Sequence, residues 1–163
     1  MFPDDIEQLA RQVIVAAAAR NQMITTAESC TGGLVAGALT AVAGSSVVLD
    51  RGFVTYSNAA KTEMLGVPAG MIATHGAVSE PVARAMASGA VAQSQATLSV
   101  SITGIAGPGG GSDDKPVGLV HFAACGPGGL NHAEHRFGDL GREAIRLASV
   151  RVALDMLMER TRS

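Results

Sequence analysis

A chain of 163 residues with 47% hydrophobic and 16% charged side chains has enough material for one core and lies far from the composition that prevents collapse, so a single domain over residues 1–163 is expected. The formal net charge is -2, and the ten arginines are scattered along the chain without forming a block or stripe, which argues against nucleic acid as a partner. The two cysteines, Cys30 and Cys125, have no CxxC spacing; they suit a reduced, cytoplasmic setting and give no reason to expect a metal.

The opening "MFPDDIEQLA" is acidic where a secretory leader would be basic, and the "VIVAAAA" run that follows is far too short to span a bilayer. No targeting segment and no membrane contact are expected. Asp4 is positioned to cap a first helix, with Glu7 completing a capping box, and Ile6, Leu9, Ala10, Val13 and Ala17 keep helical spacing up to about Arg20. "MITTAES" then reads as a strand entering a turn, and Leu34, Ala38 and Ala41 continue as a helix after Gly33.

"VVLDRGFVTYS" has the β-branched and aromatic content of a second strand. Asn58 is expected to cap a short helix closed by Gly66, with Pro68 beyond it. Ser79, Glu80 and Pro81 open another helix, with Val82, Ala85, Met86, Gly89 and Ala90 on one face. "TLSVSITG", "VGLVHFAAC" and "LNHAEHRF" read as strands, the last two joined by the turn "GPGG", and a final helix starts near Asp139 or Gly141. Helices between the early strands imply parallel crossovers and the late turn implies an antiparallel hairpin. The fold class is therefore α/β, a three-layer α/β/α sandwich with a mixed, mostly parallel sheet. Ligands of such sheets sit at strand carboxyl ends, where Ser29, Tyr56 and Thr103 fall.

Several signatures are absent. There is no GxxxxGK[ST], no GxGxxG after a strand and no GxSxG. "HAEH" lacks zincin spacing, and in a strand His132 and His135 face opposite sides. "SDDK", residues 112–115, formally matches SxxK, but glycines before it and Pro116 after it make it a solvated loop.

Three segments carry candidate chemistry. Ser29 stands at a strand end, and the amides of Thr31, Gly32 and Gly33 open a helix where they could hold an oxyanion. Equally, Ser29 could simply cap that helix. Tyr56, the only tyrosine, and Lys61, one of two lysines, lie in "VTYSNAAK". In a chain that otherwise uses arginine, a lysine at a strand-to-helix junction hints at a removable proton. With Asn58 as cap, Lys61 sits at the third helical position, where the dipole lowers its pKa. It could then take the Ser29 proton, with the Tyr56 hydroxyl bridging or orienting the pair; the alternative is a snorkelling lysine beside a half-buried tyrosine. Last, Thr103 and Gly104 end a strand, and the glycines as far as Gly107 and beyond could form an anion nest or a mere flexible loop. Arg142 and Arg146 could add phosphate contacts.

Taken together, "AESCTGG", "GSS", "VTYSNAAK", "HGAVSEPVA", "TGIAGPGGGSDDKPVGLV" and "GDLGREAIR" resemble the C-terminal domain of the CinA family. The resemblance runs in order through nearly the whole chain. It implies deamidation of nicotinamide mononucleotide to nicotinate mononucleotide and ammonia in pyridine-nucleotide recycling, without metal or cofactor, by a homo-oligomer. It maps the family's serine, tyrosine and lysine onto Ser29, Tyr56 and Lys61. Ser29 is expected as the nucleophile over its intrinsically more nucleophilic rival Cys30, because no histidine lies in the local motif and Lys61 with Tyr56 suits a hydroxyl; Cys30 is then a packed neighbour. Because Ser29 comes early in the chain, a stand-alone form is expected. The alternative is a catalytically silent nucleotide-binding or regulatory module using the same pocket.

Overall fold

The computed structural model describes residues 1–162. Helix α1 (Asp4–Ala19) leads into β1 (Ile24–Glu28), α2 (Leu34–Thr40), a 3-10 turn (Ser45–Val47) and β2 (Leu49–Val54). Then come α3 (Asn58–Leu65), α4 (Ala69–His75), α5 (Glu80–Ala92), β3 (Leu98–Gly104), β4 (Leu119–Gly126), β5 (Gly129–Arg136) and α6 (Arg142–Arg162). The five strands form one sheet in the order β2-β1-β3-β4-β5. β1 pairs in parallel with β2 and β3, whereas β3–β4 and β4–β5 are antiparallel. Only β4 runs against the others, so the expected mixed sheet is present, with its hairpin at one side.

Helices α1, α2 and α6 pack on one face of the sheet and α3, α4 and α5 on the other. The central strands β1 and β3 are buried almost end to end, whereas the edge strands β2 and β5 are largely half-exposed or exposed. That contrast explains why β1 and β3 read as continuous runs without clean alternation. Among the described residues no helix is long and apolar enough to cross a membrane.

Two of the expected helix starts are corrected. Pro3, not Asp4, occupies the N-cap of α1 and no side chain caps it. The carbonyl of Pro3 takes the amides of Ile6 and Glu7, while Asp4, Asp5 and Glu7 lie in the first turn, where the helix dipole favours acids. In α3 the cap is Ser57, whose hydroxyl accepts the Ala60 amide at 3.0 Å; Asn58 is already helical. The C-terminal Gly66, with φ 69°, stops α3 as expected. Helix α4 has no counterpart among the expected elements, since it buries only Ile72 and has little apolar periodicity.

Helix α5 lies close to the sheet because small residues line the contact. Ser99 and Ser101 of β3 donate their hydroxyls to the carbonyls of Ala87 and Ala83 at 2.7 and 2.6 Å. A side chain at Gly89 would meet the Leu65 carbonyl at 1.9 Å, so glycine there is what lets α3 end against α5. This packing holds α3, and with it Lys61, over the carboxyl ends of the parallel strands.

Candidate active site

At the end of β1 the chain stays in register for one more residue: the Ser29 amide donates to Ile102 O at 2.9 Å. It then turns sharply. Gly32 and Gly33 adopt φ of 57° and 97°, left-handed values that disfavour other residues, and Gly32 N closes the turn on Ser29 O at 3.0 Å. Ser29 is not the helix cap. That work falls to Glu28, fully buried, whose carboxylate accepts the amides of Gly33 and Val35 at 3.1 Å each and of Ala36 at 2.9 Å. Of the expected oxyanion donors, Gly32 and Gly33 are thus already engaged; the Thr31 amide takes no partner among the described residues.

Lys61 reaches the turn from α3. Its side chain is 1% exposed, and Nζ lies 3.0 Å from Ser29 Oγ, 2.8 Å from Thr55 O and 3.5 Å from Tyr56 O. Among the described residues no carboxylate pairs with it. Burial therefore pulls its pKa below the ordinary lysine value. The direction is the expected one, but the cause is desolvation, since Ser57 as cap moves Lys61 beyond the expected third position. The three partners also fit a neutral amine: two N–H groups for two carbonyls and a lone pair for the Ser29 hydroxyl.

Tyr56 does not bridge Ser29 and Lys61. It is 62% exposed, and its hydroxyl accepts from Arg142 Nη2 at 3.0 Å. Arg142 Nη1 in turn donates to Gly107 O at 2.8 Å, so the arginine spans the gap between the end of β2 and the glycine-rich loop. Thr103 is buried, and its hydroxyl donates to Ala77 O at 2.8 Å, tying the segment before α5 to β3.

A cleft of about 210 Å³ gathers Ser29, Lys61, Tyr56, Thr103, Gly104 and Arg142 on its walls. Thr31, Gly32, Gly33 and Gly107 stand outside it. The glycine-rich loop is not a free nest: the Ile105 amide donates to Leu119 O and Gly118 N to Ile105 O, folding its start onto β4. Arg146, expected as a possible phosphate contact, instead points at the Ser29–Gly32 turn, with Nε 3.1 Å from Cys30 O and Nη2 3.1 Å from Thr31 O. Cys30 is 6% exposed, and burial pushes its thiol up to about 12, so it is protonated at neutral pH. A wider groove of about 440 Å³ between α3 and α4 touches this site only through Asn58.

The family model for the CinA C-terminal domain matches residues 6–161. The chain belongs to this family. The chain is similar to the nicotinamide-nucleotide amidohydrolase PncC of Escherichia coli (strain K12), 50% identical over 161 residues, covering 98% of this chain and 96% of that protein. A CinA-like protein of Anaeromyxobacter dehalogenans (strain 2CP-C) is 49% identical over 158 residues; here the chain spans only 38% of the relative's length. Among solved structures, the competence/damage inducible protein CihA of Agrobacterium tumefaciens superposes with a TM-score of 0.97 at 56% identity, covering 100% of this chain and 99% of that one.

Sequence reasoning misses Glu28 and gives Arg146 another task, a possible phosphate contact, in place of its hold on the Cys30 and Thr31 carbonyls. Glu28 did leave a signal, a carboxylate inside a strand otherwise fit for a core. Arg146 left none, because its spacing from Arg142 on a helix suggests a shared solvent face.

Proposed function

We propose that the chain hydrolyses the carboxamide of nicotinamide mononucleotide to the carboxylate and ammonia, with Ser29 as nucleophile. The observation that carries this reading is the buried Lys61 amine 3.0 Å from Ser29 Oγ with no acidic partner among the described residues. A lysine whose pKa burial has lowered is neutral, and so able to take a hydroxyl proton, for a larger share of the time than one in water. The similarity to the PncC amidohydrolase over both full lengths supports the choice of substrate.

In this mechanism Ser29 Oγ attacks the carboxamide carbon while its proton passes to Lys61. The tetrahedral intermediate expels ammonia, which takes that proton from Lys61. Water then attacks the resulting ester, Lys61 acting again as base, and the acid leaves with Ser29 restored. The Thr31 amide is the member of the expected donor set left for the oxyanion. The substrate ring is a pyridinium cation, which further disfavours protonation of a nearby lysine and so keeps the base neutral.

A cleft of about 210 Å³ is smaller than the roughly 300–1,000 Å³ of sites that enclose a whole ligand. It suits the ring carboxamide, with ribose and phosphate left at the mouth where Arg142 stands. Binding energy from that phosphate then orients the amide. Incubating the purified protein with nicotinamide mononucleotide, its riboside and free nicotinamide, with ammonia and product mass followed, tests the reading. Ammonia should come chiefly from the mononucleotide. Binding without ammonia release would leave a silent nucleotide-binding module instead.

A further inference from the structure

The turn that carries Ser29 is gripped from outside the cleft by two charged side chains that touch none of its walls' open space. On one side the Glu28 carboxylate collects the amides of Gly33, Val35 and Ala36. On the other, the Arg146 guanidinium collects the carbonyls of Cys30 and Thr31. The two hold complementary halves of the backbone: an anion takes donors and a cation takes acceptors, which makes each bond charge-assisted. Neither lines the cleft, and among the described residues Arg146 has no carboxylate partner.

The grip has a directional consequence. Across a planar trans peptide the C=O and N–H point opposite ways, so drawing Cys30 O toward Arg146 turns the Thr31 N–H away from it. Arg146 packs directly on the Ser29–Gly32 turn, where a Cβ on Gly32 would stand in van der Waals contact with Arg146 Nη2 at 3.4 Å. Helix α2 is a mere seven residues, too short to impose this geometry by its own cooperativity. We infer that Glu28 and Arg146 form an opposite-charge clamp whose role is to position the Ser29 hydroxyl and the Thr31 amide for attack on the carboxamide. Both are positioning residues, and the inference rests on the amide hydrolysis proposed above.

The clamp is tested with Arg146→Met, Arg146→Lys and Glu28→Gln, and with Arg151→Ala as control, since Arg151 lies on the same helix and among the described residues pairs only with the exposed Asp5. Five quantities are read: kcat and KM for nicotinamide mononucleotide, the preference over the riboside, the rate at which a fluorophosphonate phosphonylates Ser29 Oγ with loss of fluoride, and the folded fraction by thermal unfolding. Loosening a nucleophile by about 1 Å is worth on the order of 10²-fold. Arg146→Met should therefore lower kcat and the labelling rate together by about 10- to 100-fold, with KM and substrate preference unchanged. Arg146→Lys, which can hold one carbonyl, should recover part of the loss, and added methylguanidinium should restore part of the Arg146→Met rate. Glu28→Gln, which turns an amide toward amide donors, should lose at least as much as Arg146→Met.

A raised KM with a narrowed preference for the mononucleotide would make Arg146 a substrate ligand and overturn the clamp. So would unchanged kcat and labelling, or losses that match the unfolded fraction alone. If wild-type protein releases no ammonia, the proposed reaction fails, and the labelling series then decides the clamp by itself: a parallel fall in Ser29 labelling supports it. Wild-type protein that neither releases ammonia nor takes the probe overturns both.

Discussion

The floor and the mouth of the cleft are built on opposite terms. At the floor, Ser29 and Lys61 are 9% and 1% exposed, and Glu28, Arg146 and β3 engage much of the neighbouring backbone, leaving the Thr31 amide without a partner among the described residues. At the mouth, Tyr56 is 62% exposed and meets Arg142 through one hydroxyl contact. The difference separates two tasks. A proton transfer tolerates little displacement and is set in packed, desolvated surroundings, whereas a phosphate can be met by long side chains that give way as it arrives.

The sharpest test of the floor is the nucleophile. Ser29→Ala should lower ammonia release by more than about 10³-fold, while Cys30→Ala, which removes a buried and protonated thiol, should keep most of it. The reverse pattern, measured on protein of equal folded fraction, would sink the assignment.

Lys61 comes next. Lys61→Arg should be nearly as damaging as Lys61→Ala, about 10²- to 10⁴-fold, because arginine keeps the charge but cannot serve as base. The proposed attack needs the neutral amine, and burial lowers the Lys61 pKa from 10.5; kcat/KM should therefore rise with pH through that depressed value. With the cationic ring bound the limb should move lower still, so the kcat profile should rise at a more acid pH than the kcat/KM profile. Stability has the same sign. Between the depressed folded value and 10.5 the unfolded chain binds the extra proton, so the fold gains stability as pH rises across that window and loses it as pH falls. A pH-independent rate, or full activity in Lys61→Arg, would reduce Lys61 to an electrostatic anchor.

The mouth should respond more gently. Losing a charge-assisted contact of about 1.5–3 kcal/mol, Arg142→Ala should lower kcat/KM for the mononucleotide by about 10- to 100-fold and leave the riboside nearly untouched. Equal losses on both substrates would place the phosphate elsewhere. Tyr56→Phe removes one hydroxyl bond to Arg142, and its effect should stay within about tenfold and fall on KM. A large fall in kcat with KM intact would bring the tyrosine hydroxyl back to the reacting atoms and erase the division between floor and mouth.

Much of this arrangement was legible beforehand. Ser29, Tyr56 and Thr103 were expected at strand ends on one side of the sheet, and parallel pairing of β1 with β2 and β3 puts all three strand ends at one edge. Lys61 was singled out for its chemical contrast with the arginines, and it does lie against Ser29. Its pKa cause was misread: a cap one residue earlier removes the dipole argument, and burial does the work. The place of Tyr56 was misread too, because side-chain direction after a strand depends on where the chain leaves the sheet, here right after Val54.

The sequence by itself determined the α/β class, the order of most elements, and the short motifs where chemistry could reside. It did so because hydrophobic periodicity, turn glycines and residue type are local properties. Only the tertiary structure decided which polar groups meet. Ser29 and Lys61 are 32 positions apart and Arg146 and Cys30 are 116 apart, and nothing in local spacing brings such pairs together. Their meeting depends on α3 and α6 packing on opposite faces of the sheet, which buries Lys61 and lowers its pKa and brings Arg146 onto two backbone carbonyls.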